Sequence, residues 1–179
     1  MRSLPIAVTA SVAACLAATL MLTACADGGG SESKGTDKAA DSACSIDEMG
    51  VRVAAAAAPA AGDTGTVTVT LTNRGDRCTL KGFPAAELVA GTSSATVPSD
   101  PAAEAPRLTL AENAVTAFTI TYVRGGAGDG KSLAVKTVRL ALPGTDGTHE
   151  FGWSYGGVAL KGGAGEPDAS VSAFQTAGD

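Results

Sequence analysis

A chain of 179 residues with a formal net charge of -5 has room for one domain, or two very small ones. The acidic balance argues against nucleic acid as a partner, because such binding needs clustered Lys and Arg to displace counterions, and against a polybasic patch for anionic lipid. Only 4% of residues are aromatic, while 23 are glycines that gather at turns without a fixed period, which suits short strands and not solenoid or propeller repeats.

Residues 1–24 have the layout of an export signal. Arg2 supplies the positive charge, and residues 4–22 are uncharged and rich in Ala, Val and Leu. Leu22-Thr23-Ala24-Cys25 closes the apolar run and resembles the bacterial lipobox. The resemblance implies cleavage between Ala24 and Cys25 and a diacylglyceryl thioether on the Cys25 sulfur. An uncleaved membrane helix is the alternative, since 19 uncharged residues approach the ~20 that span a bilayer. The small residues and the cysteine at the end of the run favour the lipoprotein. Two acyl chains make a stable anchor, each buried methylene contributing about 0.8 kcal/mol. Loss of the leader removes Arg2, leaving 12 basic and 18 acidic residues, a net charge of -6.

Residues 26–43, ADGGGSESKGTDKAADSA, carry no large apolar side chain, so they cannot bury enough surface to offset the entropy of ordering. They are expected to form a flexible tether with an r.m.s. span of about 25 Å. The expected organisation is a signal peptide at 1–24, a lipidated cysteine and tether at 25–43, and one folded domain at 44–179. Of the four cysteines, Cys15 lies in the leader and Cys25 takes the lipid, leaving Cys44 and Cys78. On the export side of a membrane such a pair predicts a disulfide, closing a loop of about 35 residues and contributing roughly 3–4 kcal/mol in the chain-entropy model. Two free thiols are the alternative. A metal pair is disfavoured, because the chain has one His and neither cysteine lies in a close-spaced pair.

Within the domain, 51–53 opens a first strand. The run 54–58 is all alanine, but five residues stopped by Pro59 are too few for a stable helix. Residues 66–72 alternate threonine with Val67, Val69 and Leu71, the pattern of a strand with one buried face. Asn73-Arg74-Gly75-Asp76 follows as a turn. Residues 87–89 and 94–97 flank Gly91 as two strands, and 99–106 is a loop holding two prolines. Residues 108–110 and 115–123 extend again, and the large side chains Phe118, Ile120 and Tyr122 mark the inward face of the second. Residues 125–130 form a loop with four glycines. Residues 134–142 alternate with Val138, Leu140 and Leu142 inward, and 150–155, 158–160 and 169–174 complete the sheets. Seven to nine short strands at this spacing predict an all-β, immunoglobulin-like sandwich.

Three stretches are similar to a known family: a cysteine before the first strand, the alternating strand ending in Thr72-Asn73-Arg74-Gly75, and the run Cys78-Thr79-Leu80-Lys81-Gly82-Phe83-Pro84. With Leu108-Thr109-Leu110 leading into a later strand, the chain resembles the actinobacterial exported domain of unknown function 4232 over about 44–174. The resemblance implies an immunoglobulin-like sandwich and a Cys44–Cys78 bridge, and no activity. A Pro-Gly turn is expected where this chain has Ala111-Glu112-Asn113. Gly82 would permit a positive φ, Pro84 would interrupt a ladder, and Phe83 is expected to plug the core.

No catalytic residue, metal set or cofactor is expected. His149 lies near Asp146 and Ser154 in sequence, yet a triad is defined by geometry, and no G-x-S-x-G elbow occurs. Met49 and His149 make a poor copper site, and the glycines around Asp129 lack the carboxylates of a calcium loop. His149, Phe151, Trp153 and Tyr155 would share one side of an extended segment. Phe151 and Trp153 are expected in the core; the alternative is a binding stripe centred on Trp153 and Tyr155. The expected function is a non-catalytic, membrane-anchored module that contacts an envelope protein or wall glycan. An inhibitor or accessory subunit of an exported enzyme, acting through 99–106, is the second reading, and a hydrolase the third.

Overall fold

The computed structural model describes residues 42–176, apart from 106, 129, 163 and 164. Ala24, Cys25 and nearly all of the tether lie outside the described residues. A 3-10 turn at Ile46–Glu48 precedes β1 (Met49–Ala56), β2 (Thr64–Asn73), β3 (Cys78–Lys81), β4 (Ala85–Ala90) and β5 (Ser93–Val97). Then come β6 (Arg107–Leu110), β7 (Val115–Val123), β8 (Ser132–Leu133), β9 (Thr137–Ala141) and β10 (Thr148–Gly152). The chain ends with β11 (Val158–Lys161), β12 (Glu166–Pro167), β13 (Ala169–Val171) and β14 (Gln175–Thr176). Among the described residues no helix is long and apolar enough to cross a membrane.

The fold is an all-β sandwich. One sheet has the order β1-β2-β7-β13, with β14 also on β7; the facing sheet has the order β10-β9-β4-β5. The pairs β3-β6 and β12-β11-β8 complete it. Alternation in β2 and β7 explains the first sheet. Val67 opposes Ile120 and Val69 opposes Phe118 in register, all buried, while Thr68 and Thr119 sit between them on the outer face. From the second sheet Ala86, Leu88, Val138 and Leu140 join the same apolar cluster. Each fully buried Val, Leu, Ile or Phe contributes about 1.5–3 kcal/mol relative to exposure, so one core spans both sheets.

Polar locks tie the ends. Cys44 and Cys78 form a disulfide with a Cα–Cα distance of 4.9 Å, beside the backbone bonds Cys44 N–H to Thr79 O (3.1 Å) and Thr79 N–H to Ser42 O (2.8 Å). Asn73 is fully buried. Its amide donates to the carbonyls of Asp76 (2.8 Å), Leu110 (3.3 Å) and Ala111 (3.2 Å), and its oxygen accepts from Gly75 N–H (3.1 Å). It thereby joins the turn after β2 to the turn before β7. In that second turn, Ala114 N–H reaches Ala111 O at 3.0 Å and Asn113 has φ 63°. Asparagine tolerates this left-handed conformation better than most side chains, so it meets the requirement that a Pro-Gly pair would.

Several local expectations change. Fourteen strands occur among the described residues where seven to nine are expected: β3 and β12 form outside the expected segments, and three strands are only two residues long. The alanine run does not stop the first strand, which continues to Ala56 because β2 pairs with it along its whole length. Residues 134–136 are outside any strand: Val135 N–H turns back to Leu133 O at 2.9 Å. Phe83 is half-buried and lies outside the core cluster, whereas its neighbour Pro84 is buried.

Candidate functional site: a cleft at one end of the sandwich

Four connections converge at the end of the sandwich where β1, β7 and β10 finish and β2 begins. They enclose a cleft of about 590 Å³, within the range of about 300–1,000 Å³ common to small-ligand sites. Its walls are mostly small residues: Pro59 and Ala60 from one side, Gly125 to Gly128 from another, Gly156 and Gly157 from a third. Two cations, Arg124 and Lys136, also line it, and no carboxylate does among the described residues.

Tyr122 assembles this end. Its ring is buried at the end of β7. The phenol oxygen accepts from Ala58 N–H at 3.2 Å and donates to Tyr155 O at 2.8 Å, so one hydroxyl connects two walls. Gly65 stands opposite Tyr122 in the register. A Cβ at 65 would lie 2.6 Å from the Tyr122 ring and 2.7 Å from Ala58 N, so the close approach depends on glycine.

Arg124 follows two residues later and is half-buried. Its Nη1 donates to Ala58 O (2.7 Å) and Pro59 O (2.9 Å). Its backbone is held by Gly62 N–H (2.8 Å to Arg124 O) and by Asp63 O (2.9 Å from Arg124 N–H). Nε and Nη2 meet no acceptor among the described residues. The guanidinium lies over Gly156, whose φ is 92° and where a Cβ would stand 2.8 Å from Nε. Glycine at 156 therefore both permits the turn and lets the Arg124 side chain approach the main chain there. Lys136 is exposed and has no ion-pair partner among the described residues; its carbonyl accepts Trp153 N–H at 2.8 Å.

Trp153 is in the cleft floor and only 5% exposed. Its ring makes edge contacts with Tyr122 and Tyr155, each at a centroid distance of 4.9 Å, and its indole N–H donates to Gly156 O at 2.7 Å. Tyr155 is half-buried and packs against the core. Trp153 and Tyr155 thus meet each other but present no exposed stripe. Phe151 and His149 are both half-buried, on β10 opposite Val138 and Leu140. The sequence pattern gave extended geometry to 149–155; the strand ends at Gly152, and the segment after it folds over the cleft floor.

The other candidates do not assemble into reactive groups. No hydrogen bond joins His149 to Asp146 or Ser154 among the described residues. Met49 is in the core, and Asp129 lies outside the described residues. Among those residues no three His, Cys, Asp or Glu side chains cluster as metal ligands. In the loop after β5, Asp100 N–H bonds to Val171 O at 2.9 Å, and the Asp100 carboxylate accepts from Ala102 N–H at 2.9 Å; Pro106 lies outside the described residues. On the outer face of the second sheet, Arg139 bridges Glu87 (2.7 Å) and Glu150 (2.9 Å). Hydrogen bonding from Ser94 has the largest effect on the Glu87 carboxyl, burial opposes it, and the charge and hydrogen bond of Arg139 add to the Ser94 effect, so the carboxyl lies below its ordinary range.

A β-sandwich closed by a disulfide near its N-terminal strand, with a cleft of main chain and cations at its far end, is a small domain suited to an oxidising, extracytoplasmic setting. The chain belongs to the family described as Domain of unknown function (DUF4232), which matches residues 44–175. No curated protein and no solved structure matches it. Arg124 and Lys136 were not singled out by sequence reasoning. The available signal was a cation ending an alternating strand directly before the glycine-rich 125–130 loop.

Proposed function

We propose that this protein is an extracytoplasmic lipoprotein, held to a membrane by lipid on Cys25, and that its sandwich is a non-catalytic binding module for an envelope partner. The end cleft is its ligand site. The observation that carries the reading is the cleft itself: a walled space of about 590 Å³, fixed by the Tyr122 and Arg124 hydrogen bonds, with unmatched positive charge in a chain of net charge -5. The leader ending in Cys25 and the polar tether support display of that cleft away from the membrane surface.

Fractionation of cells making the native chain or Cys25→Ser tests the anchor. The native chain is expected in membranes and the variant in the soluble export-side fraction; equal membrane retention of both overturns the anchor. Cross-linking in intact envelopes tests the binding reading. A cross-link to an envelope component, placed by a photoreactive group at the exposed residues Ala60 or Ala127 and absent from a group at Thr96, is expected. Identical patterns from all three positions overturn it.

A further inference from the structure

We propose that the cleft binds the carboxylate end of a short peptide, with Arg124 and Lys136 taking the carboxylate. This rests on the reading of the domain as a binding module with its site at that end. The charge of the ligand follows from the lining. Arg124 and Lys136 line the space, and neither has an ion-pair partner among the described residues, which suits an anionic ligand.

The kind of anion follows from the guanidinium. Nη1 already holds Ala58 O and Pro59 O, which fixes the plane and leaves the edge formed by Nε and Nη2. Two parallel N–H groups on one edge match the two oxygens of a carboxylate. Gly156 lacks a Cβ where one would press on Nε, so no side chain at 156 crowds that edge. Lys136, an exposed point charge without fixed geometry, adds attraction and little directional selection.

The body of the ligand follows from the walls. Sugar rings are commonly held against an open aromatic face, but the cleft's tryptophan is 5% exposed and edge-locked between Tyr122 and Tyr155. Pro59, Ala60, Gly126 and Ala127 instead offer a shallow wall of small side chains and main chain. Such a wall offers a peptide main chain a close approach and presents no aromatic platform. This favours a peptide end over a glycan.

The test uses the full chain in detergent and its single tryptophan. Because Trp153 lies in the cleft floor, its emission reports occupancy directly. The probes are acetyl-Ala-Ala with a free carboxylate, acetyl-Ala-Ala amide, N-acetylglucosamine and inorganic phosphate. The acid is expected to change Trp153 emission saturably with a Kd of ~1 mM, the affinity that ordinary ligand efficiency gives a molecule of its size. The amide is expected to bind at least about tenfold more weakly, as loss of charge-assisted hydrogen bonds requires. Arg124→Lys, which keeps the charge and loses the paired edge, is expected to weaken the acid about tenfold. Lys136→Gln is expected to weaken it about threefold, an effect that fades with added salt. Lys136 is exposed, so its variant keeps the test decisive if Arg124→Lys does not fold.

Equal binding of acid and amide, no response to the acid at ten times the expected Kd, or tighter binding of phosphate or N-acetylglucosamine each overturns the proposal. So does acid binding unchanged in both variants. An envelope cross-link that persists in Arg124→Lys while the acid fails to bind removes the peptide end and leaves the binding module standing. Loss of every specific cross-link removes the module reading itself.

Discussion

Replacing Tyr122 with Phe removes one oxygen atom and tests how the end of the sandwich is held. The ring and its contact with Trp153 at 4.9 Å remain, so the change is confined to two hydrogen bonds. Ala58 is 1% exposed, and its N–H loses its acceptor in a place water does not reach. A buried donor left unpaired costs about 1–3 kcal/mol. Tyr155 is half-buried, so its carbonyl can turn towards solvent at little cost. The expected loss is therefore about 2 kcal/mol. For a domain of this size about 3–5 °C of Tm accompanies each kcal/mol, giving a fall of roughly 6–10 °C. Urea unfolding followed by Trp153 emission and by far-ultraviolet circular dichroism measures it. The midpoint should fall with the slope unchanged. Because Ala58 and Tyr155 flank opposite walls, acetyl-Ala-Ala binding should weaken as well. A stability change below about 0.5 kcal/mol, less than an ordinary hydrogen bond contributes, would refute the reasoning that this hydroxyl clasps the two walls.

Other outcomes follow from the same structure. Converting both Cys44 and Cys78 to alanine opens a loop with a sequence separation of 34 and should cost about 4 kcal/mol in chemical denaturation, by the loop-entropy relation; an unchanged midpoint contradicts this. Asn73→Ala strips three carbonyls of a donor and one N–H of an acceptor in a fully buried position, and should cost about 3 kcal/mol or more. Asn73→Asp should do no better, since a carboxylate cannot donate to the three carbonyls. The Glu87 carboxyl is held below its ordinary range by Ser94 and Arg139. Its contribution is therefore present above the ordinary carboxylate range and lost as pH falls through the lowered folded value. Acid titration of stability should be shallower in Glu87→Gln than in the native chain. The effect is small, because the pair is partly exposed.

Where the sequence alternates with period two, the fold was legible. Val67-Thr68-Val69-Thr70-Leu71 and Phe118-Thr119-Ile120-Thr121-Tyr122 each declare one face, and their pairing in register follows from burying both faces together. Cys78-Thr79-Leu80 was harder to read, because all three side chains are buried and the alternation disappears. The short strands β8, β12 and β14 carry too few residues to show any period. The cleft was illegible for another reason. Its walls come from segments between Pro59 and Gly157, brought together by tertiary bonds such as Tyr122 to Ala58 and to Tyr155, which no local pattern encodes. The aromatic run at 149–155 put Trp153 and Tyr155 on one side of the segment, and their rings do meet. Only packing determines that Trp153 floors a cleft and does not form an exposed stripe.

The most direct test of the account is the intact mass of the protein extracted from membranes under non-reducing conditions. The account predicts a chain that begins at Cys25, carries the added mass of a diacylglyceryl group on that residue, and is two hydrogens lighter for the Cys44–Cys78 bridge. A chain that retains residues 1–24, or one cut elsewhere with Cys25 bearing no lipid, would contradict it.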